Sequence, residues 1–167
     1  MALEIERKFL VRGNEWRSVD GLVFRQGYLS TVKERTVRVR IDGDNAKLTV
    51  KGINRGAVRK EFEYDIPLED AEELMTLCEQ PLIEKVRRRI EREGLIWEVD
   101  EFLGENEGLV IAEVELERED QLFTRPAWVG EEVTHDPRFY NVNLVSHPFS
   151  KWKRASPNSE TNSAPTS

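Results

Sequence analysis

Alternation at period two is the dominant pattern of this 167-residue chain. From Ala2 to Arg12, Leu3, Ile5 and Phe9 fall on one face of an extended segment, and Glu4, Glu6 and Lys8 on the other. Leu22 to Ser30 groups Phe24, Gln26 and Tyr28 on one side, and Thr36 to Ile41 alternates Arg38 and Arg40 with Val37, Val39 and Ile41. Asp42-Gly43-Asp44-Asn45 reads as a turn, after which Lys47, Thr49 and Lys51 oppose Leu48 and Val50. Past a loop from Gly52 to Gly56, Arg59, Glu61, Glu63 and Asp65 oppose Phe62, Tyr64 and Ile66. Such short connections predict antiparallel hairpins. The period then changes. Leu68, Ala71, Leu74, Met75 and Cys78 form a helical stripe within 67–80, with acids in its first turn and Pro81 ending it.

Strands resume with Lys85, Arg87 and Arg89 opposing Val86 and Ile90. Trp97 and Val99 oppose Glu98 and Asp100, and Glu113 and Glu115 oppose Ala112, Val114 and Leu116. Eight strands are thus predicted. Residues 119–149 read as short helices and loops carrying Trp128, Phe139, Tyr140 and Leu144. The Ser-, Asn-, Pro- and Thr-rich end reads as a disordered tail. The length suits one domain, taken as 1–150, with 151–167 as the tail.

Taken together, the polar faces of the strands carry charge of both signs. If the strands form one flat sheet, that face is ordinary solvated surface. If the sheet closes, it lines a lumen just wide enough for side chains or one small ligand. Periodicity alone leaves both open. Stacked like charges, Arg38 with Arg40 and Lys85 with Arg87 and Arg89, favour the lumen, because solvent-facing strands more often mix signs. Bases crowded beside carboxylates suit a polyphosphate with a divalent cation: bases meet phosphate oxygens and carboxylates hold a hard metal.

A net charge of −7 argues against nucleic acid or an anionic membrane as the main partner. No run approaches a membrane span, and a lone Cys78 implies no disulfide framework, so a cytoplasmic protein is expected. His135 and His147 lack partners at zinc spacing. Gly52-Ile53-Asn54-Arg55-Gly56 lacks the Lys-Ser/Thr of a phosphate loop. Arg87-Arg88-Arg89 is better explained as a strand face than as an RNA-binding run.

Glu4-Ile5-Glu6-Arg7-Lys8 resembles the N-terminal Glu-x-Glu-x-Lys signature of the CYTH superfamily, the triphosphate tunnel metalloenzymes. Arg38-x-Arg40, Lys51, Arg59-x-Glu61-x-Glu63, Lys85-x-Arg87, Asp100 and Glu113-x-Glu115 follow in the family's order, and segments near Trp128 and Arg138 look like the ends of short bacterial members. The resemblance implies an α+β fold built on an eight-stranded antiparallel closed β-barrel, a tunnel, with flanking helices. It implies a short inorganic triphosphatase that uses Mg²⁺ or Mn²⁺. Arg38, Arg40, Lys51, Arg59, Lys85 and Arg87 would grip phosphates. Glu4, Glu6, Glu61, Glu63, Asp100, Glu113 and Glu115 would serve the metal and the attacking water, with Glu113 and Glu115 on a substrate-bound metal and Glu4 and Glu6 on a second.

Lys8 would lie close to the scissile phosphoryl group, stabilising charge or, if neighbouring bases depress its pKa, taking a proton from water. Tyr28 would reach Lys8 if the first two strands pair; a purely wall-lining tyrosine is the alternative. The expected partner is a small-molecule triphosphate, and a homodimer is left open. Adenylate cyclase, nucleoside or thiamine triphosphatase, and a non-catalytic polyphosphate-binding module remain as competing functions.

Overall fold

The computed structural model describes residues 3–152 of the chain. Nine antiparallel strands dominate it: β1 (Leu3–Val11), β2 (Leu22–Ser30), β3 (Thr36–Asp42), β4 (Asn45–Lys51), β5 (Val58–Asp65), β6 (Ile83–Arg92), β7 (Leu95–Phe102), β8 (Val110–Glu115) and β9 (Val129–Glu132). The first eight close into a ring, ordered β1-β5-β4-β3-β2-β6-β7-β8 and back to β1. Two meanders, β2 to β5 and β6 to β8, meet through β2 and β6 and are joined on the other side by β1.

The β1 strand has three neighbours because it is shared along its length. Its first residues pair with β5 (Glu4 opposite Arg59), while its second half lies against β8 (Lys8 opposite Glu113). Where β5 leaves off, β9 takes over the same edge, with Phe9 opposite Glu132 and Val11 opposite Val129. This ninth strand corrects the reading of residues 119–149 as helices and loops. Four residues containing a glycine carry too little alternation to announce a strand.

The predicted helix is shorter than its apolar stripe. α1 spans Leu68–Met75, and Thr76, Leu77 and Cys78 continue only as tight turns onto Glu73, Leu74 and Met75. Cys78 keeps its place in the stripe as a buried packing residue. It lies so close to β2 that a Cβ on Gly27 would sit 2.7 Å from its own, which is why a glycine stands there.

Three apolar clusters hold the barrel. Outside, Phe9, Trp97 and Val99 pack under Trp128, Phe123 and Trp16, with Trp97 and Trp128 in an edge-on contact at 5.7 Å. Also outside, Val39, Ile41 and Ala46 are covered by Ala71 and Met75 of α1. The third cluster lies within the ring. Tyr28, Ile83, Phe102 and Ile111 share strand parity with the charged residues, so the inner face is apolar towards one end. Phe139, Leu144 and Val145 fill that end; the last two belong to α2 (Asn143–Ser146). Burying each such side chain contributes about 1.5–3 kcal/mol, enough to seat the C-terminal segment as a stopper. Of the expected tail, Lys151 and Trp152 are in place, with Trp152 edge-on to Phe139 and Phe149; residues 153–167 lie outside the described residues.

Candidate active site

Alternation aims one side chain in two at the barrel interior, and there the charges of β1, β3, β4, β5, β6, β7 and β8 surround a cavity of about 180 Å³. All of the predicted site residues except Asp100 line it. Glu98, Thr36 and the C-terminal Tyr140, Asn141 and Val142 line it as well. Glu98 and Thr36 share strand parity with predicted residues and were legible on that ground. Tyr140 to Val142 arrive by tertiary return of the chain, and strand alternation does not place them at the cavity.

The basic side chains are held by carboxylates in a continuous network. Lys51 donates to both oxygens of Glu4 at 3.2 Å, and Arg59 Nε reaches Glu4 at 3.4 Å. Lys8 sits between Glu113, which it contacts directly, and Glu6 at 3.5 Å. Arg87 extends to Glu98 at 3.2 Å and to Glu113 at 3.5 Å. Across the cavity, Arg38 and Arg40 approach Glu63 at 3.5 and 3.7 Å. Their Nε atoms are buried and make no hydrogen bond. Buried donors without partners are costly and rare, so this wall is poised for an acceptor.

Asp100 stands apart from the other expected metal ligands. Its side chain is 1% exposed, and it does not line the cavity. Arg87 donates Nε–H and Nη2–H to its two oxygens at 2.7 and 2.8 Å, and Lys85 adds a contact at 2.8 Å. Lys85 also donates to Asn141 Oδ1 at 2.9 Å, which in turn accepts from Gln26 at 3.1 Å.

Two expectations for the catalytic pair are corrected. Strands β1 and β2 are not neighbours, so the condition for Tyr28 to reach Lys8 fails. The Tyr28 hydroxyl instead accepts a long hydrogen bond from Gln26 at 3.5 Å. Nor is the Lys8 pKa depressed. Burial works against its charge, but Glu113 and then Glu6 outweigh burial and raise the ammonium above its ordinary range. Its nearest charged neighbours are acids and not bases, which favours the ammonium.

The carboxylates split into two groups. Burial disfavours charge on both Glu113 and Glu4, yet Lys8, Arg87 and Lys85 hold Glu113 well below the usual range, and Lys51 and Arg59 lower Glu4. Glu6 is pushed up to about 8 by burial and by Glu113 and Glu4. Burial and the nearby Glu4 also raise Glu61 and Glu115. Among the bases, burial with Arg38 and Arg87 lowers Arg40 to about 10, and burial lowers Lys85 to about 8 despite Asp100.

Glu6, Glu61 and Glu115 are therefore incompletely compensated, with Glu6 directly opposite Glu115 across β1 and β8. Among the described residues, no three acidic, histidine or cysteine side chains already converge as a metal cage. The donor set nonetheless fits a hard divalent cation: its oxygens are carboxylates, and their mutual repulsion is what such an ion relieves.

The chain is similar to known proteins over most of its length. The CYTH domain pattern matches residues 2–140. An inorganic triphosphatase of Acetivibrio thermocellus is 52% identical over 155 residues, covering 92% of this chain and 99% of the relative. An inorganic triphosphatase of Nitrosomonas europaea is 37% identical over 146 residues, covering 85% of this chain and 96% of the relative. Among solved structures, that of the inorganic triphosphatase NE1496 superposes with a TM-score of 0.62 at 34% identity, covering 84% of this chain and 96% of the other.

Proposed function

The chain belongs to the CYTH domain family, and from that premise we propose that it hydrolyses inorganic triphosphate to diphosphate and phosphate with a divalent cation, Mg²⁺ or Mn²⁺. The observation that carries the reading is the cavity within the barrel in which Arg38, Arg40, Lys51, Arg59, Lys85 and Arg87 face Glu4, Glu6, Glu61, Glu63, Glu113 and Glu115. A binding module for phosphate would need only the bases. The full-length likeness to two inorganic triphosphatases supports the same substrate class.

Phosphoryl transfer asks little covalent help of a protein; positioning and charge neutralisation dominate. The six basic side chains hold the non-bridging oxygens of a linear triphosphate, and the unpartnered Nε atoms of Arg38 and Arg40 gain acceptors. Lys8, fixed as an ammonium by Glu113 and Glu6, donates to the oxygens of the scissile phosphoryl group as charge builds there. Glu113 and Glu115 would hold one cation against the substrate, and Glu4 and Glu6 a second. The cation supplies Lewis-acid polarisation of phosphate oxygens and a lower pKa for the attacking water.

A second cavity of about 20 Å³ lies behind Glu4, Glu6 and Lys8, bounded by Ala57 and Thr134, with room for a single water. Water attacks the terminal phosphorus, its proton passes to solvent or a carboxylate oxygen, and diphosphate leaves. Asp100 takes a bracing role in this scheme, since its oxygens are already engaged by Arg87 and Lys85. Tyr28 acts as a wall residue. The lone buried Cys78 supports a cytoplasmic setting.

The test is phosphate release from inorganic triphosphate with Mg²⁺ and then Mn²⁺, with ATP in parallel and Glu115→Gln as control. Cation-dependent release that the variant loses is expected. Tight binding with no release from either substrate would overturn hydrolysis in favour of a binding module or a cyclase.

A further inference from the structure

Phe24 is an aromatic ring on the uncharged inner face of β2, between the charged inner faces of β3 and β6. It is 7% exposed and lies behind the cavity wall. Register explains its neighbours. On β3, Arg40 is opposite Gln26, two residues one way along β2; on β6, Arg87 is opposite Leu22, two residues the other way. The ring thus lies on the diagonal between two arginines from flanking strands. Their guanidinium carbons approach its centroid to 5.0 Å and 4.9 Å. Between them, Arg40 and Arg87 repel each other, and Arg40 has few compensating acids, with Asp42 at 3.9 Å and Glu63 at 3.7 Å.

We propose that Phe24 is a positioning residue whose ring holds the Arg40 and Arg87 guanidiniums in place, spaced to grip the same phosphate chain. The inference rests on the reading of those two arginines as phosphate ligands. An aliphatic side chain of similar volume fills the space but lacks the negative ring face that attracts a cation. Two guanidiniums drawn to one ring are preorganised: the repulsion of bringing them together is met before substrate arrives, and the substrate need not collect them. The neighbouring pair repeats the device, with Lys85 Nζ 5.5 Å from the Phe102 centroid.

The experiment replaces Phe24 with 4-fluoro-, 3,5-difluoro- and pentafluorophenylalanine, and separately makes Phe24→Leu. Fluorination keeps the ring's shape while removing its negative face. The expected result is a stepwise rise in KM for inorganic triphosphate, reaching about tenfold for the pentafluoro ring and for leucine, with kcat within about twofold. Calorimetric binding of triphosphate in EDTA follows the same order. A flat series in which wild-type protein binds triphosphate overturns the role of Phe24 and leaves it as packing. Failure of wild-type protein to bind triphosphate at all overturns the parent reading instead. The fluorinated series decides the matter even if the leucine variant does not fold.

Discussion

Lys85 and Asp100 face each other at 2.8 Å with side chains only 2% and 1% exposed. Burial already lowers the Lys85 ammonium to about 8, so Asp100 is what keeps it charged near neutrality. The same carboxylate also fixes Arg87. Removing one member of a buried pair leaves the other uncompensated and costs about 3–5 kcal/mol. Asp100→Ala is expected to lose stability on that scale in urea unfolding and to raise KM for triphosphate at pH 7. On the proposed bracing role of Asp100, the metal-induced rise in melting temperature should survive. Loss of the metal response with stability intact would restore the ligand reading.

Lys8 is the cation nearest the carboxylates assigned to metal. On the proposed mechanism, Lys8→Ala removes a donor to the developing phosphoryl charge, a change of about 10²–10³-fold in kcat by analogy with removing one preorganised donor. Binding of Mg²⁺ should persist or tighten, because Glu113 and Glu6 lose their competing ammonium. Steady-state turnover, paired with calorimetric titration of the cation, checks both halves. Undiminished kcat would remove Lys8 from the reaction.

Cation binding should be coupled to protons through Glu6. Its carboxyl is raised to about 8 in the folded protein against an ordinary 4.5, so the folded state holds a proton that the unfolded chain has released. Unfolding then becomes easier as pH rises from about 4.5 through about 8. Metal-free protein is expected to melt progressively lower across that window. Glu6→Gln should flatten the trend, and Mg²⁺ should reverse it at the alkaline end. Titration of Mg²⁺ at pH 7 in two buffers of different ionisation enthalpy should report proton release. A pH-independent midpoint in EDTA would contradict the raised carboxyl.

Much of this site was readable because a strand face is a period-two code. Once Glu4, Glu6 and Lys8 were placed on one face, the same parity gathered Arg38, Arg40, Arg87, Glu113 and Glu115. Closure was not in that code. It depends on three residue pairs between β1 and β5, and alternation reads the same for an open sheet. Parity also could not separate ligand from brace. Asp100 has the same strand face as Glu98, but only the packing of Lys85 and Arg87 shows its oxygens to be taken. Nor could it foresee Asn141, which reaches Lys85 from 56 residues away in sequence, or β9, whose four residues mean little without the β1 edge they cover.

That edge has its own lock, and it gives the last prediction. Arg7 donates Nε–H and Nη2–H to the two carboxylate oxygens of Glu132 at 2.8 and 2.7 Å, tying β1 to β9. Thr134 adds a hydroxyl hydrogen bond to Glu132 at 2.6 Å and accepts from the Lys8 backbone N–H at 3.0 Å. The Arg7 hydrogen bond is the main reason the Glu132 carboxyl is depressed to about 2, with Thr134 and Arg125 helping against modest burial. A lowered carboxyl contributes stability that is present above its unfolded value near 4.5 and lost as pH falls towards 2. Glu132→Gln should therefore lower the melting temperature at pH 7, and the difference from wild type should vanish by about pH 2. The pair is partly open to solvent, so raising salt should shrink the pH 7 difference. Because Thr134 links this lock to the strand position of Lys8, kcat should fall modestly in the same variant while cation affinity holds. An acid melting profile identical to wild type would show that Arg7 and Glu132 meet without holding β9 in place.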